Sequence, residues 1–139
     1  MKKIRTLIVD DEISAIKTLN GMLNQYFPQI EIVDIAQTVN SAYEKVIKHQ
    51  PDMVFLDVEM PPLGNGFDFL KKCGSYDFGV IFTTAYPKYA IQAINDIQPW
   101  AYLIKITKQK DSTPIIKVVQ KNRLQITLNA LKFTMVKLL

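Results

Sequence analysis

The sequence has only one cysteine and one histidine among its 139 residues, and this scarcity excludes several kinds of site. Cys73 cannot form a disulfide within the chain, and one cysteine with one histidine cannot make a Cys/His metal centre. We expect Cys73, in a Lys-Lys-Cys-Gly helix end, to be a half-buried structural thiol. We expect His49, near a helix end before Pro51, to be solvated and close to the negative pole of the helix dipole.

Long apolar runs and targeting signals are also missing. No uninterrupted apolar stretch reaches the roughly 18 residues that suggest a membrane-spanning helix. Met1-Lys2-Lys3 leads into an apolar run of only about six residues, which is too short for a signal peptide. We therefore expect a cytoplasmic protein with no membrane partner. An apolar content of 48% with only five glycines is typical of one folded domain and argues against disorder.

The net charge of +4 is unevenly distributed along the chain. Residues 1–106 contain ten Lys or Arg against twelve Asp or Glu, a net charge of −2, whereas residues 107–139 contain seven against one, a net charge of +6. The body is thus mildly acidic and the tail basic. A basic tail is compatible with nucleic acid or an acidic partner, but a solvated helix face is the more common explanation.

Short apolar runs between turn-forming residues predict five strands, at residues 5–9, 31–35, 53–57, 80–83 and 100–104. Apolar residues spaced by three and four predict helices between them: from Ile13 to before Pro28, from a cap at Asn40 or Ser41 to Pro51, from Phe67 to Gly74, and at 89–94. Such alternation forms right-handed βαβ units. The predicted fold is α/β, a doubly wound parallel sheet of five strands in the order 2-1-3-4-5.

Carboxylates follow the first and third predicted strands, as Asp10, Asp11 and Asp57. Those strands are neighbours in the order 2-1-3-4-5, so the acids should converge where open α/β sheets bind ligands. Clustered carboxylates repel one another unless a cation lies among them, and hard oxygen ligands with room for water favour Mg²⁺. The fourth and fifth strands lead to Thr84 and Lys105.

A phosphoryl group would give each of these side chains a role. Asp57 can act as a nucleophile that forms an acyl phosphate. Mg²⁺ held by Asp11, by Asp10 through water and by Asp57 would neutralise charge on the phosphoryl oxygens. The Thr84 hydroxyl can donate to one such oxygen, and Lys105 offers a positive charge to another. Each feature alone is common and usually solvated, whereas four complementary ones at four strand ends rarely coincide.

The chain resembles the receiver domains of two-component response regulators, through LIVDDE at 7–12, MVFLDVEMPP at 53–62, VIFTTAY at 80–86 and YLIK at 102–105. This flavodoxin-like (CheY-like) family takes phosphate from a histidine kinase. The stretch 81–94 further resembles receivers that precede a LytTR-type DNA-binding domain. The resemblance implies a phosphorelay switch rather than an enzyme, homodimerisation on activation, and transcriptional control in the full-length protein. DNA would be bound only through an output domain that this chain lacks.

The resemblance also implies roles for seven residues: Asp57 as phosphoacceptor, Asp10 and Asp11 as Mg²⁺ acids, the Glu59 backbone carbonyl as a further metal ligand, Thr84 as switch hydroxyl, Lys105 as phosphate-binding lysine, and Tyr102 as switch aromatic. Tyr102 would turn inward when Thr84 is drawn to the phosphoryl group. An ordinary edge-strand aromatic is the alternative for Tyr102.

Two departures from the family pattern keep other functions open. Ile106 follows Lys105 where the family has a proline after a cis peptide bond; a non-proline cis bond costs about 2.5–4 kcal/mol, so we expect a trans bond and a differently aimed Lys105. The loop 61–66 is one residue longer than usual. One alternative is a non-phosphorylated pseudo-receiver, an interaction module that has lost switching. Another is a phosphatase with an aspartyl nucleophile, although Glu59 is longer than the second acid of that class.

The tail divides the chain into a receiver domain at 1–123 and an extension at 124–139. Thr113-Pro114 predicts a helix start, after which Ile115, Ile116 and Val119 would pack on the sheet as a fifth helix. The extension shows coiled-coil spacing at Leu124, Leu128, Leu131, Met135 and Leu138 and strand-like alternation at Leu124, Ile126, Leu128 and Ala130. It is therefore a dimerisation helix, an added strand, or a truncated linker to an output domain.

Overall fold

A computed structural model describes residues 3–60, 64–84, 97, 99, 101–107 and 114–121. In the last two ranges it describes the backbone, with the side chain of Leu103. The predicted helix at 89–94 and the predicted extension at 124–139 lie outside these residues. The chain divides into two compact units, Met1–Gly79 and Val80–Leu139, which we describe in turn.

The elements alternate between strand and helix through most of the described chain. They are β1 (Ile4–Val9), α1 (Ile13–Tyr26), β2 (Ile30–Ala36), α2 (Val39–His49), β3 (Met53–Asp57), α3 (Gly66–Cys73), β4 (Gly79–Thr84), β5 (Ala101–Thr107) and β6 (Pro114–Lys121). The hydrogen-bonding order of the strands is β2-β1-β3-β4-β5-β6. The predicted α/β fold and the order 2-1-3-4-5 are confirmed, with a sixth strand added beyond β5.

In the first unit, β1 lies between β2 and β3 and pairs in parallel with both. All five residues of β3 are buried, as are the last four of β1. Continuous apolar runs suit strands covered on both faces, and this explains why neither strand alternates. β2 is different, since only its end residues Ile30 and Ala36 are buried. The predicted half-exposed edge strand is confirmed.

The helices of this unit follow the apolar spacing with one correction at a cap. α1 buries Ile16, Leu19 and Leu23 and ends at Tyr26, before Pro28 as predicted. α2 does not begin at the predicted cap Asn40 or Ser41. Its N-cap is Thr38, which is extended (φ −138°) and accepts a hydrogen bond from the Ser41 N–H at 3.1 Å. The Thr38 hydroxyl lies three residues before the amide that it caps, so Ser41 is the capped residue and not the cap.

The third helix is short and has defined ends. Asn65 caps its N-terminus, and Gly74 at φ 70° ends it with a backbone geometry that a side chain would strain. Cys73 in its last turn is a half-buried free thiol, as predicted, and burial raises the pKa of that thiol to about 11. Phe69 and Leu70 are the buried anchors of this helix.

In the second unit, β4 is fully buried and pairs in parallel with β5, which pairs antiparallel with β6. The predicted fifth helix after Thr113 is therefore wrong, because residues 114–121 form a strand. Ile115, Ile116, Val118 and Val119 are β-branched residues that favour strands. In addition, Ile106 retains the N–H that a proline would lack, and β5 continues to Thr107 and pairs with β6 through Ile106 and Ile115.

Among the described residues, none of the helices combines the length and the apolar character that crossing a bilayer requires.

Candidate functional site

The register of β1 and β3 brings three carboxylates together. Val9 pairs with Leu56, so Asp10 and Asp57 follow at the same level on adjacent parallel strands. Carboxylate oxygens of Asp10, Asp11 and Asp57 all lie within 4.8 Å of one another. We call these three residues the carboxylate cluster. It lies at the carboxyl ends of the strands, where open α/β sheets bind ligands.

The two strand-end acids of this cluster are held in the protein rather than on its surface. Asp10 is 3% exposed and Asp57 7% exposed, while Asp11 is partly exposed. The Asp10 N–H donates to the Ala36 carbonyl at 3.0 Å, and Asp10 Oδ1 accepts from the Glu12 N–H at 3.0 Å. Backbone and side chain of Asp10 are thus fixed before any ligand binds.

Residues beyond β2 also hold the loop that carries Asp11. The Gln37 side-chain amide donates to the Asp11 backbone carbonyl at 3.2 Å. This bond joins the end of β2 to the turn before α1. The backbone that carries Asp11 is thus held by a residue outside that turn.

The cluster fits a small divalent cation. Oxygens bound directly to one Mg²⁺ are about 2.0–2.1 Å from it and therefore at most about 4.2 Å apart. A spread of up to 4.8 Å suits a set in which one carboxylate acts through water. All three donors are hard oxygens, and a cation among them would remove the repulsion of like charges. Asp10, Asp11 and Asp57 are thus the residues that would hold Mg²⁺.

Glu59 lies two residues after Asp57 in a short backbone pairing. It forms an isolated antiparallel bridge with Asn65, and its side chain is partly exposed. Because Glu59 follows Asp57 by only two residues, its backbone lies close to the carboxylate cluster. The role of its carbonyl as a metal ligand stays a prediction.

The remaining predicted residues belong to the second unit. Thr84 ends β4, is fully buried, and pairs with Ile104 of β5. Lys105 is the next residue of β5, so Thr84 and Lys105 occupy neighbouring positions on two parallel strands. The side chains of Lys105 and Tyr102 lie outside the described part of the structure, and their predicted roles are untested.

A second group of charged side chains, which the sequence did not suggest, joins β2 to α2. His49 Nε2 lies 2.9 Å from Asp34 Oδ2, and Lys45 Nζ lies 3.2 Å from Asp34 Oδ1. The Lys45 ammonium also donates a short hydrogen bond to the Ile35 carbonyl. We call Asp34, Lys45 and His49 the ion-pair cluster. The expectation of a simply solvated His49 is corrected, because its ring contacts a carboxylate.

The pKa of the Asp34 carboxyl reflects two opposing influences in the ion-pair cluster. Burial alone would raise its pKa, but the Ile35 N–H, the His49 ring and Lys45 all interact with its ionised form. Together they hold the pKa of Asp34 below its ordinary value of 3.8. The ion-pair cluster therefore favours an ionised Asp34 without any external ligand.

Sequence reasoning also missed two residues beside the carboxylate cluster, Asn65 and Gly66, which it had assigned only to a turn-forming loop. An Asn three residues before Asp68, at the start of an apolar helix pattern, is a capping-box signature that could have identified Asn65. No signal along the chain identifies Gly66, because its contact is with the backbone of β3.

The fold and the cluster define a class: a doubly wound α/β domain with a cluster of carboxylates at the ends of its first and third strands. The chain matches the response regulator receiver domain over residues 6–105. This protein therefore belongs to the response regulator receiver family, and its place is in two-component signalling.

Several relatives that the chain matches are sensory transduction proteins named LytT. The chain is 35% identical over 104 residues to the sensory transduction protein LytT of Bacillus subtilis, covering 73% of this chain and 42% of that protein. It is 33% identical over 123 residues to LytT of Bacillus anthracis, covering 86% of this chain and 48% of that protein. The chain thus spans about half the length of the curated relatives it matches, and the resemblance to LytTR-type receivers is confirmed.

Solved structures agree on the fold. The response regulator domain of Thermotoga maritima CheB has a TM-score of 0.65 at 25% identity, with 95% of this chain and 91% of that chain covered. The Borrelia burgdorferi CheY chain, solved as a CheX-CheY-BeF3-Mg complex, has a TM-score of 0.62 at 23% identity, with 77% of this chain and 81% of that chain covered. The second likeness supports the CheY-like fold alone.

Proposed function

We propose that this domain accepts a phosphoryl group on Asp57 from a histidine kinase, in a reaction that depends on Mg²⁺. The observation that supports the proposal most strongly is the carboxylate cluster, in which Asp57 is 7% exposed and shares a site with Asp10 and Asp11. A single buried carboxylate would be a poor nucleophile towards a phosphoryl donor, because both groups are negatively charged. Three carboxylates that can hold a cation make the same position attractive to a phosphoryl group.

The proposed transfer is a displacement at phosphorus. An Asp57 carboxylate oxygen attacks the phosphorus of a phosphohistidine, and the new P–O bond forms as the P–N bond breaks. The electron pair of the P–N bond stays on the imidazole nitrogen, and the product on Asp57 is an acyl phosphate. A bound Mg²⁺ would supply positive charge to the phosphoryl oxygens. Asp10 and Asp11 contribute by holding that charge beside Asp57.

The proposal also gives roles to Thr84 and Lys105, which belong to the second unit. The Thr84 hydroxyl would donate to one phosphoryl oxygen and the Lys105 ammonium would pair with another. Tyr102 would follow Thr84 and change the surface around β5. That change shifts a two-state equilibrium and so alters partner affinity or homodimerisation.

The whole protein is proposed to be a cytoplasmic signalling switch rather than an enzyme. Its similarity to LytT over about half of that relative's length suggests transcriptional control through an output domain. DNA binding would belong to that output domain and not to residues 1–123.

The test uses Trp100, the only tryptophan, as a reporter two residues before Tyr102. Its fluorescence is titrated with Mg²⁺ and then with Mg²⁺ plus beryllofluoride, in the parent and in Asp57→Asn. A saturable response that Asp57→Asn abolishes supports phosphoryl acceptance coupled to β5. No response in the parent, together with no Mg²⁺ binding by calorimetry, would leave the pseudo-receiver as the better description.

A further inference from the structure

The turn into α3 packs against the backbone of β3 immediately beside Asp57. The Gly66 N–H donates to the Val58 carbonyl at 2.8 Å, and Asn65 pairs with Glu59 in a β-bridge. Gly66 is buried, and a Cβ built on it would lie 2.6 Å from the Asp57 carbonyl oxygen and 3.1 Å from Leu56 Cγ. Only a residue without a side chain fits this approach, although the Gly66 backbone does not need a positive φ.

Asn65 is itself held in place by the first turn of α3. Its N–H donates to Asp68 Oδ2 at 2.9 Å, and its side-chain Oδ1 accepts from the Asp68 N–H at 3.0 Å. This reciprocal pair is a capping box. Since Phe69 and Leu70 anchor α3 in the core, the capping box ties Asn65 and Gly66 to a rigid element.

We infer that Asn65 and Gly66 form a positioning clamp that fixes the backbone after Asp57, and so sets the affinity of the site for Mg²⁺. The inference rests on the proposed function, because it assumes that the Glu59 carbonyl and Asp57 serve one cation. Neither clamp residue needs to touch that cation. They act through the backbone of Val58 and Glu59.

The physical argument follows from the geometry of the peptide unit. The hydrogen bond from Gly66 fixes the plane of the Val58–Glu59 peptide, because a peptide unit is rigid and planar. The orientation of the Glu59 carbonyl then depends only on the two backbone torsions of Glu59. The bridge to Asn65 limits the range of those two torsions. A carbonyl held this way can be preorganised for a cation.

Gly66→Ala is the most direct test, with Gly21→Ala as its matched control. The alanine Cβ at 66 would collide with backbone, which cannot rotate away, whereas a Cβ at Gly21 in α1 would meet nothing within 4 Å. We expect Gly66→Ala to weaken Mg²⁺ binding by about 10- to 100-fold, the range typical of residues that orient metal ligands. Gly21→Ala should keep the parental affinity. Calorimetric titration with MgCl₂ measures both.

A second pair of variants separates positioning from loss of stability, and decides the matter if Gly66→Ala does not fold. Asn65→Ala removes the cap of α3, and Thr38→Ala removes the equivalent cap of α2, so both should lower the urea midpoint similarly. Only Asn65→Ala should lower Mg²⁺ affinity. Asn65→Asp should restore it, since aspartate caps a helix about as well as asparagine.

The outcomes distinguish the inference from the function on which it rests. Parental Mg²⁺ affinity in Asn65→Ala, despite a lower urea midpoint, overturns the clamp and leaves the proposed function intact. An equal loss of affinity in Thr38→Ala also overturns it, because a general loss of stability would then explain the effect. A parent chain that binds no Mg²⁺ removes the proposed function, and the clamp with it.

Discussion

The carboxylate cluster and the ion-pair cluster are two different arrangements of aspartates in one unit of the protein. In the first, Asp10, Asp11 and Asp57 place three like charges within 4.8 Å. In the second, Asp34 lies between two basic side chains of α2, at 2.9 Å and 3.2 Å. Repulsion between like charges at the strand ends destabilises the fold, and a bound cation would relieve it. In the ion-pair cluster, basic side chains of the same protein interact with the carboxylate instead. The first arrangement suits ligand binding, and the second suits attachment of α2 to β2.

The backbone around the ion-pair cluster supports this structural role. The Arg5 guanidinium donates to the His49 carbonyl at 2.6 Å and to the Gln50 carbonyl at 3.3 Å, at the C-terminal end of α2. Asp52 joins the same region, since its side chain accepts from the Arg5 N–H at 2.9 Å. A cation at the last carbonyls of a helix complements its dipole. The end of α2 is thus attached to β1 as well as to β2.

The largest effect that separates the two clusters is expected for Asp57→Asn. This substitution removes the proposed phosphoacceptor, so incubation with a small-molecule phosphodonor and Mg²⁺ should give no phosphorylated protein. Asp34→Asn removes an aspartate of the same unit and should become phosphorylated like the parent. Intact-protein mass spectrometry measures both. Phosphorylation of Asp57→Asn to the parental level would place the acceptor elsewhere.

Mg²⁺ should stabilise the protein only through the carboxylate cluster. A ligand present at about 100 times its dissociation constant raises the free energy of unfolding by about 2.7 kcal/mol. We expect an increment of this size in the parent and in Asp34→Asn, and a much smaller one in Asp11→Asn. Urea unfolding with and without MgCl₂ gives the increments. Equal increments in all three proteins would mean that Mg²⁺ does not bind at the cluster.

The ion-pair cluster should contribute a pH-dependent stability of about 1 kcal/mol at neutral pH. Asp34→Asn removes the ionised partner of Lys45 and His49. Because the folded pKa of Asp34 is below its ordinary 3.8, its contribution is complete above about pH 4 and is lost as the pH falls through the lowered value. The difference between parent and Asp34→Asn should therefore shrink on acidification.

Urea unfolding from pH 7 to pH 3 measures that difference. Glu31→Gln is the control, because Glu31 is an exposed acid of the same strand. A parent and an Asp34→Asn variant of equal stability at pH 7 would contradict the structural role of the cluster.

The smallest effect is expected for a cation outside both clusters. Lys72 of α3 donates to Asn40 Oδ1 at 2.9 Å and lies 5.1 Å from the centre of the Tyr43 ring. Both contacts are exposed, so Lys72→Met should lower the free energy of unfolding by at most about 0.5 kcal/mol. Its Mg²⁺ increment should equal that of the parent. A loss larger than that of Asp34→Asn, measured by urea unfolding, would show that contacts between α2 and α3 contribute more stability than those of the ion-pair cluster.

Local pattern explains which predictions succeeded. Apolar runs, turn residues and three- to four-residue spacing are read directly from the chain, and they predicted the first five strands and the first three helices. The prediction of a fifth helix was wrong because it gave more weight to a capping residue followed by Pro114 than to the β-branched residues that come next. Those residues form a strand that pairs with β5. The helix cap at Thr38 was missed because Asn40 and Ser41 are equally good capping residues by type.

By itself the sequence determined the α/β fold, its strand order and the convergence of Asp10, Asp11 and Asp57, since acids at the ends of successive parallel strands must reach the same edge of a sheet. Tertiary structure alone decided which residues meet across long separations: His49 with Asp34, Arg5 with Asp52, and Gly66 with the backbone of Asp57. These contacts depend on strand register and on the approach of a helix to a strand. A linear pattern of residue types does not specify either quantity.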